Sequence, residues 1–214
     1  STLNLSISLV SFVTGIFMVG AGDIADKVGN LKMTIIGLVL SIIGCLSLII
    51  VPATTFLVLG RIFQGFSAAI LLPSTIGLVS DKFEGQNLRK AYSFMMIATV
   101  GGIGFSSYVG GIISSLWSWQ FIFACSIILS VIAILILSRK KETPRAERDR
   151  QPFDYIGMLI FGIFIACVML LMTQGFTYGW TSNFSLTVAG LGLIALTIFY
   201  LFEKGRTTPF IDFS

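Results

Sequence analysis

Polar residues are not spread evenly along this chain. They gather in short stretches, and between them run seven apolar segments, at about 5–21, 33–51, 56–80, 91–115, 121–137, 155–173 and 184–202. A helix rises ~1.5 Å per residue, so runs of roughly 18–25 residues reach across a hydrocarbon layer about 30 Å thick. Lipid offers no water to open backbone groups, which leaves helices or closed barrels as spanning structures. The runs are rich in Leu, Ile, Gly and Phe and lack the apolar/polar alternation of a barrel strand. The predicted fold class is therefore all-α, a polytopic transmembrane helical bundle with seven spans and short loops.

Charge orients the bundle. The connections on one side hold Lys27 and Lys32, then Lys82, Arg89 and Lys90, then Arg139, Lys140, Lys141, Arg145, Arg148 and Arg150, then Lys204 and Arg206. Only Arg61 stands apart from this set of basic residues. Connections on the other side, around Pro52, Trp117 and Gly179, carry no Lys or Arg, so the basic side is expected in the cytoplasm. Trp117, Trp119 and Trp180 all sit by the uncharged connections, where indole rings suit the outer interface. The N-terminus is then expected outside and the C-terminus inside. Because the chain opens on Ser1-Thr2-Leu3-Asn4 without an initiator Met or signal peptide, a preceding span is also expected. The sequons at Asn4 and Asn183 face outward, but such triplets recur by chance and carry no argument.

Composition removes several classes of function. The chain is 55% hydrophobic and 11% charged, with a mean hydropathy of +0.95, far beyond the needs of one soluble core. It has no histidine, and so lacks the commonest metal ligand and the base of a Ser-His dyad. No metal, cofactor or enzymatic activity is expected. Cys45, Cys125 and Cys167 fall inside spans and read as small packing residues. The basic stretch from Arg139 to Arg150 offers a surface to anionic lipid, but interleaved Glu142, Glu147 and Asp149 dilute its field and topology alone accounts for it; no nucleic-acid partner is expected.

Four motifs follow one another in order. After the first span comes Gly22-Asp-Ile-Ala-Asp26-Lys27-Val-Gly29-Asn30-Leu-Lys32, in which Gly22 and Gly29 permit a tight turn and Asp26 can pair with a basic group or cap a helix. The third span reads Leu57-Val-Leu-Gly-Arg61-Ile-Phe-Gln64-Gly65-Phe-Ser67-Ala68-Ala69. A charge within the membrane costs ~2.5–3.5 kcal/mol or more, which makes Arg61 a functional candidate, with Gln64 one turn further along. The competing reading is that Arg61 snorkels over the ~9 Å to the outer end. In the fourth span, Gly102, Ser106, Gly110 and Ser114 recur once per turn within Gly102-Ile-Gly-Phe-Ser106-Ser107-Tyr-Val-Gly110-Gly111, a surface for a neighbouring helix. Trp119-Gln120-Phe-Ile-Phe123 opens the fifth.

In this order the motifs resemble those of the major facilitator superfamily: its loop signature G-x-L-A-D-R-x-G-R-K, its helix L-x-x-x-R-x-x-Q-G-x-x-A-A, its antiporter helix G-x-x-x-G-P-x-x-G-G and its W-R-W-x-F. Asn30 and Gln120 replace family arginines, and Ser106-Ser107 replace a Gly-Pro pair, which leaves the kink of that helix in doubt. The resemblance covers nearly the whole chain and matches it to helices two to eight of the 14-span drug:proton antiporter branch. It implies a domain plan: a transport bundle over 1–138 lacking its first helix, a basic cytoplasmic loop over 139–153, an additional helix pair over 154–203, and a connector over 204–214 toward a missing second bundle.

The implied activity is proton-coupled efflux of lipophilic, often cationic drugs across a bacterial cytoplasmic membrane. In that reading Arg61 and Gln64 serve coupling, and Gly22, Asp26, Lys27 and Gly29 form a latch. Gly102, Ser106, Ser107, Gly110 and Gly111 serve antiporter packing. The implied partners are drugs, protons, the bilayer and the rest of the protein's own chain. No span interior holds a carboxylate, so the proton-carrying acid is expected outside these residues; Asp23 could substitute, though an interfacial solvated acid is the alternative. Tyr92, Met95, Met96 and Tyr108 offer soft aromatic surface for flat cations. A non-transporting scaffold, a seven-span receptor and a passive channel remain as alternatives; a channel would need a polar stripe these spans lack.

Overall fold

The computed structural model describes residues 2–50, 54–140 and 155–204, and among these it is helical throughout, without strands. The helices are α1 (Thr2–Val28), α2 (Asn30–Ile50), α3 (Thr54–Ser80), α4 (Gly85–Leu116), α5 (Gln120–Ser138), α6 (Tyr155–Tyr178) and α7 (Asn183–Lys204). Six of them have the length and composition to cross a membrane. α1 makes a seventh when its halves, Leu9–Met18 and Gly20–Val28, bent by 54°, count as one span. All seven predicted spans thus fall on helices.

The ends differ from the hydropathy reading. α4 begins at Gly85, six residues ahead of the predicted start at 91, and carries exposed Gln86, Asn87, Arg89 and Lys90. Helical hydrogen bonding does not need to stop where an apolar run stops. α1 likewise continues through most of the loop signature. This corrects the role expected of Gly22, which is helical and packs on α3, where a Cβ would sit 3.4 Å from Pro73. Gly29 alone makes the turn, at φ 115°, a conformation that side chains with a Cβ rarely adopt.

α3 is the centre of the bundle, packed on α1 along one face and on α2 along another; α5 lies against α2, and α6 pairs with α7. Lipid supplies no hydrophobic drive between helices, so close packing at small residues has to hold them. A Cβ on Gly65 would meet the Val13 side chain at 2.7 Å and the Val10 carbonyl at 3.0 Å. The Thr14 hydroxyl donates to the carbonyl of Gly65 at 3.1 Å, and the rings of Phe17 and Phe66 lie 4.7 Å apart. On the opposite face, Gly44 and Gly60 bring the backbones of α2 and α3 together, each Cβ position falling 2.9 Å from the other's carbonyl. Ala69 and Ser74 are fully enclosed as a result.

The α6–α7 turn runs through Gly179 at φ 89°. The Ser185 hydroxyl donates to the Gly179 carbonyl at 2.7 Å, and the Ser185 amide donates to the Ser182 hydroxyl at 3.2 Å, which caps α7. Phe199 is buried against Phe161 across the pair. α4 is the exception, for none of its residues is buried.

Candidate functional site

Arg61 sits two turns into α3, and the close approach of α2 at Gly44 and Gly60 determines what surrounds it. Its Nη1 donates to Gln64 Oε1 at 3.1 Å, one turn along the same helix. Gln64 Nε2 in turn reaches the Cys45 thiol of α2 at 3.6 Å. The guanidinium carbon lies 5.8 Å from the centroid of the Phe123 ring on α5, within cation–π range. Arg61 Nε is enclosed and has no hydrogen-bond acceptor among the described residues. The result is a half-buried cation held in place by neutral groups from three helices, with one donor left over.

Of this cluster the sequence reading found Arg61 and Gln64. Cys45 was taken as packing only, yet a thiol is a polarizable acceptor suited to a buried amide. Phe123 belonged to a motif whose spatial partner was unknown. The amide oxygen of Gln120, one turn before Phe123, is also enclosed without a donor among the described residues.

A second cluster forms at the end that carries the basic connections. Asn30 is 2% exposed, and its Nδ2 donates to Asp81 Oδ2 at 2.6 Å, tying the start of α2 to the residue that follows α3. Gly77 lies under the amide, and a Cβ there would overlap it. The Asn30 carbonyl accepts from the Thr34 hydroxyl at 2.7 Å, while Asn30 Oδ1 is enclosed without a donor among the described residues. Asp81 and Gly77 were not singled out from sequence, because the partners lie 51 residues apart. Lys27 forms an ion pair with Asp23 at 2.6 Å on the surface of α1. Asp26 is exposed on the same helical turn.

The two clusters occupy opposite ends of α3. Twenty residues separate Arg61 from Asp81, about 30 Å of helix.

The remaining candidates lie on α4. Ser106 and Ser107 both donate to the Ile103 carbonyl at 2.9 Å, so the hydroxyls that stand in for Gly-Pro are satisfied within the helix, which runs through them unbroken. Gly110 approaches Ile122 of α5 at 3.8 Å, whereas Gly102 and Gly111 face open space. Tyr92 and Met95 are half-buried; Met96 and Tyr108 are exposed, and none of the four joins the Arg61 cluster. Among the described residues, no group of His, Cys, Asp and Glu is placed to hold a metal.

The described helices thus form a bundle of membrane-crossing length, packed at glycine contacts, with a cation held inside. The Major Facilitator Superfamily pattern matches residues 1–204, and the chain belongs to that family. It is 35% identical over 212 residues to the quinolone resistance protein NorB of Staphylococcus aureus strain MRSA252, covering 99% of this chain and 46% of the relative. The NorB proteins of strains JH9 and Newman match at the same identity and coverage. The chain thus spans about half the length of the curated relatives it matches.

Proposed function

We propose that the longer protein to which this chain corresponds exports lipophilic, often cationic compounds in exchange for protons. It works by alternating access between two helical bundles. The basic connections face the cytoplasm of a bacterial cell, and the start of α1 faces outward. Similarity to a quinolone resistance protein makes flat heteroaromatic compounds the first substrate class to try.

The observation that carries this reading is the Arg61 cluster. Keeping a cation inside a span is expensive, and a helix that merely filled space would have no use for one. Gln64, Cys45 and Phe123 hold the guanidinium without neutralising it, which leaves its field available to a proton-carrying carboxylate elsewhere in the protein. Asp26, Lys27 and Gly29, together with the Asn30–Asp81 bond, form the latch at the other end. The exposed face of α4, with Gly102, Gly111, Met96 and Tyr108, meets the second bundle and the substrate.

Ethidium efflux from energised cells expressing the full-length protein tests the proposal, with wild type compared to Arg61→Ala at equal expression, with and without a protonophore. Wild-type efflux should stop when the gradient is dissipated. Arg61→Ala should lose about tenfold or more, equivalent to ~1.4 kcal/mol or more of barrier. Efflux unchanged in the variant makes Arg61 a snorkelling residue; absence of efflux in both makes drug export the wrong function.

A further inference from the structure

Among the described residues, the α6–α7 pair meets the rest of the bundle only through α1, which packs on α6. There each helix offers a glycine to the other's isoleucine. A Cβ on Gly15 would stand 3.4 Å from Cγ2 of Ile165, and a Cβ on Gly162 would stand 3.1 Å from Cγ2 of Ile16. The numbering runs in opposite senses on the two helices, as an antiparallel pair requires. Both glycine contacts fall on the Leu9–Met18 half of α1, on the far side of the 54° bend from the latch. That same half is held to α3 by Val13 against Gly65 and by Phe17 against Phe66.

We infer that α6–α7 is a fixed brace on this half of α1 and travels with the first bundle through every access state. The inference rests on the transport reading above for what the motion serves, but the seating itself is geometric.

Two physical points support a fixed seat. In lipid, close packing at small residues is what holds helices together, and a mutual isoleucine-into-glycine exchange resists displacement along the axis. A slide of one turn, about 5.4 Å, would in one direction set Ile16 against Ala166 and in the other set Ile165 against Ser11. The first move puts a side chain where a Cβ at Gly162 would already stand 3.1 Å from Ile16, so the isoleucine must give way; the second puts a serine hydroxymethyl where a Cβ alone at Gly15 is already in contact with Ile165. Packed interfaces of this kind occupy discrete positions and do not creep. The pair is itself tied together, by Phe161 on Phe199 and by Gly192 under Cys167, where a Cβ would lie 3.2 Å from the cysteine Cβ, so it should move as one piece.

Disulfide trapping in the full-length protein tests this. The Cβ position of Gly162 is 3.9 Å from Cβ of Ile16, within the range a disulfide spans. An Ile16→Cys/Gly162→Cys variant carries a protease site inserted between 141 and 153, so that a link holds the two cleaved fragments together. Oxidation is run in membranes with and without ethidium, and with and without a proton gradient. Single-cysteine variants report background linking.

We expect near-complete linking under all four conditions, and oxidised protein that exports ethidium as its reduced form does. Linking that fails, or that depends on substrate or gradient, overturns the fixed seat. Efflux lost on oxidation and restored by reductant shows that α6 must slide, and overturns it equally. If the reduced variant and the parent both fail to export, the transport reading falls, while the extent of linking still decides whether the brace is seated.

Discussion

α3 and α4 are both long, apolar and rich in small residues, yet their glycines meet opposite fates. On α3, Gly60, Gly65 and Gly77 each have a neighbouring helix within about van der Waals contact of the missing side chain. On α4, Gly101, Gly102, Gly104 and Gly111 have nothing within 4 Å. The lesson is that a stripe of small residues marks a surface able to receive a helix. Which stripe is filled depends on what the rest of the chain supplies. All three also face backbone or a buried amide, which cannot readily move aside. A stripe facing open space tolerates what a filled one does not.

That contrast can be broken directly. Gly65→Leu drives a side chain into Val13 and the Val10 carbonyl, and should destabilise the chain in detergent by about 3 kcal/mol, the upper range for overpacking. Gly102→Leu should shift the same denaturant midpoint by no more than ~0.5 kcal/mol. Equal losses would mean that α4 is packed after all.

A smaller effect sharpens the comparison at the latch end. Asn30→Ala leaves the Asp81 carboxylate without its buried amide donor and should cost about 1–3 kcal/mol. Combined with Asp81→Ala it should cost less than the two losses added, which a double-mutant cycle reads out. Additive losses would show that the bond couples nothing. The smallest effect belongs to the exposed Lys27–Asp23 pair on one face of α1. Lys27→Ala should cost about 0.3–0.5 kcal/mol or less and should vanish at high salt, as followed by thermal unfolding.

Much of this could be read before any coordinates. The length of the apolar runs, the absence of histidine and the one-sided basic loops reflect a lipid solvent acting on each residue independently, so they are local properties. Arg61 and Gln64 were legible for the same reason, because a charge inside a span is conspicuous wherever its partners lie. Gly29 was legible as a turn, but Gly22 was misread as one. Glycine is equally at home in a turn and at a helix crossing, and only the position of Pro73 separates the two.

The sequence by itself therefore determined the apolar spans, their helical state and the presence of one cation within a span, and each of these follows from solvation, hydrogen bonding and spacing along one segment; the family was legible through the resemblance of its motifs. The tertiary structure alone decided that Gln64 is met by Cys45 and Arg61 by Phe123, and that Asn30 bonds Asp81 across 51 residues. It decided too that α6 seats on α1 through exchanged isoleucines while the described residues bury no part of α4. Those outcomes depend on which helices approach within the few ångströms where dispersion and hydrogen bonds act, a relation between distant segments that no single segment encodes.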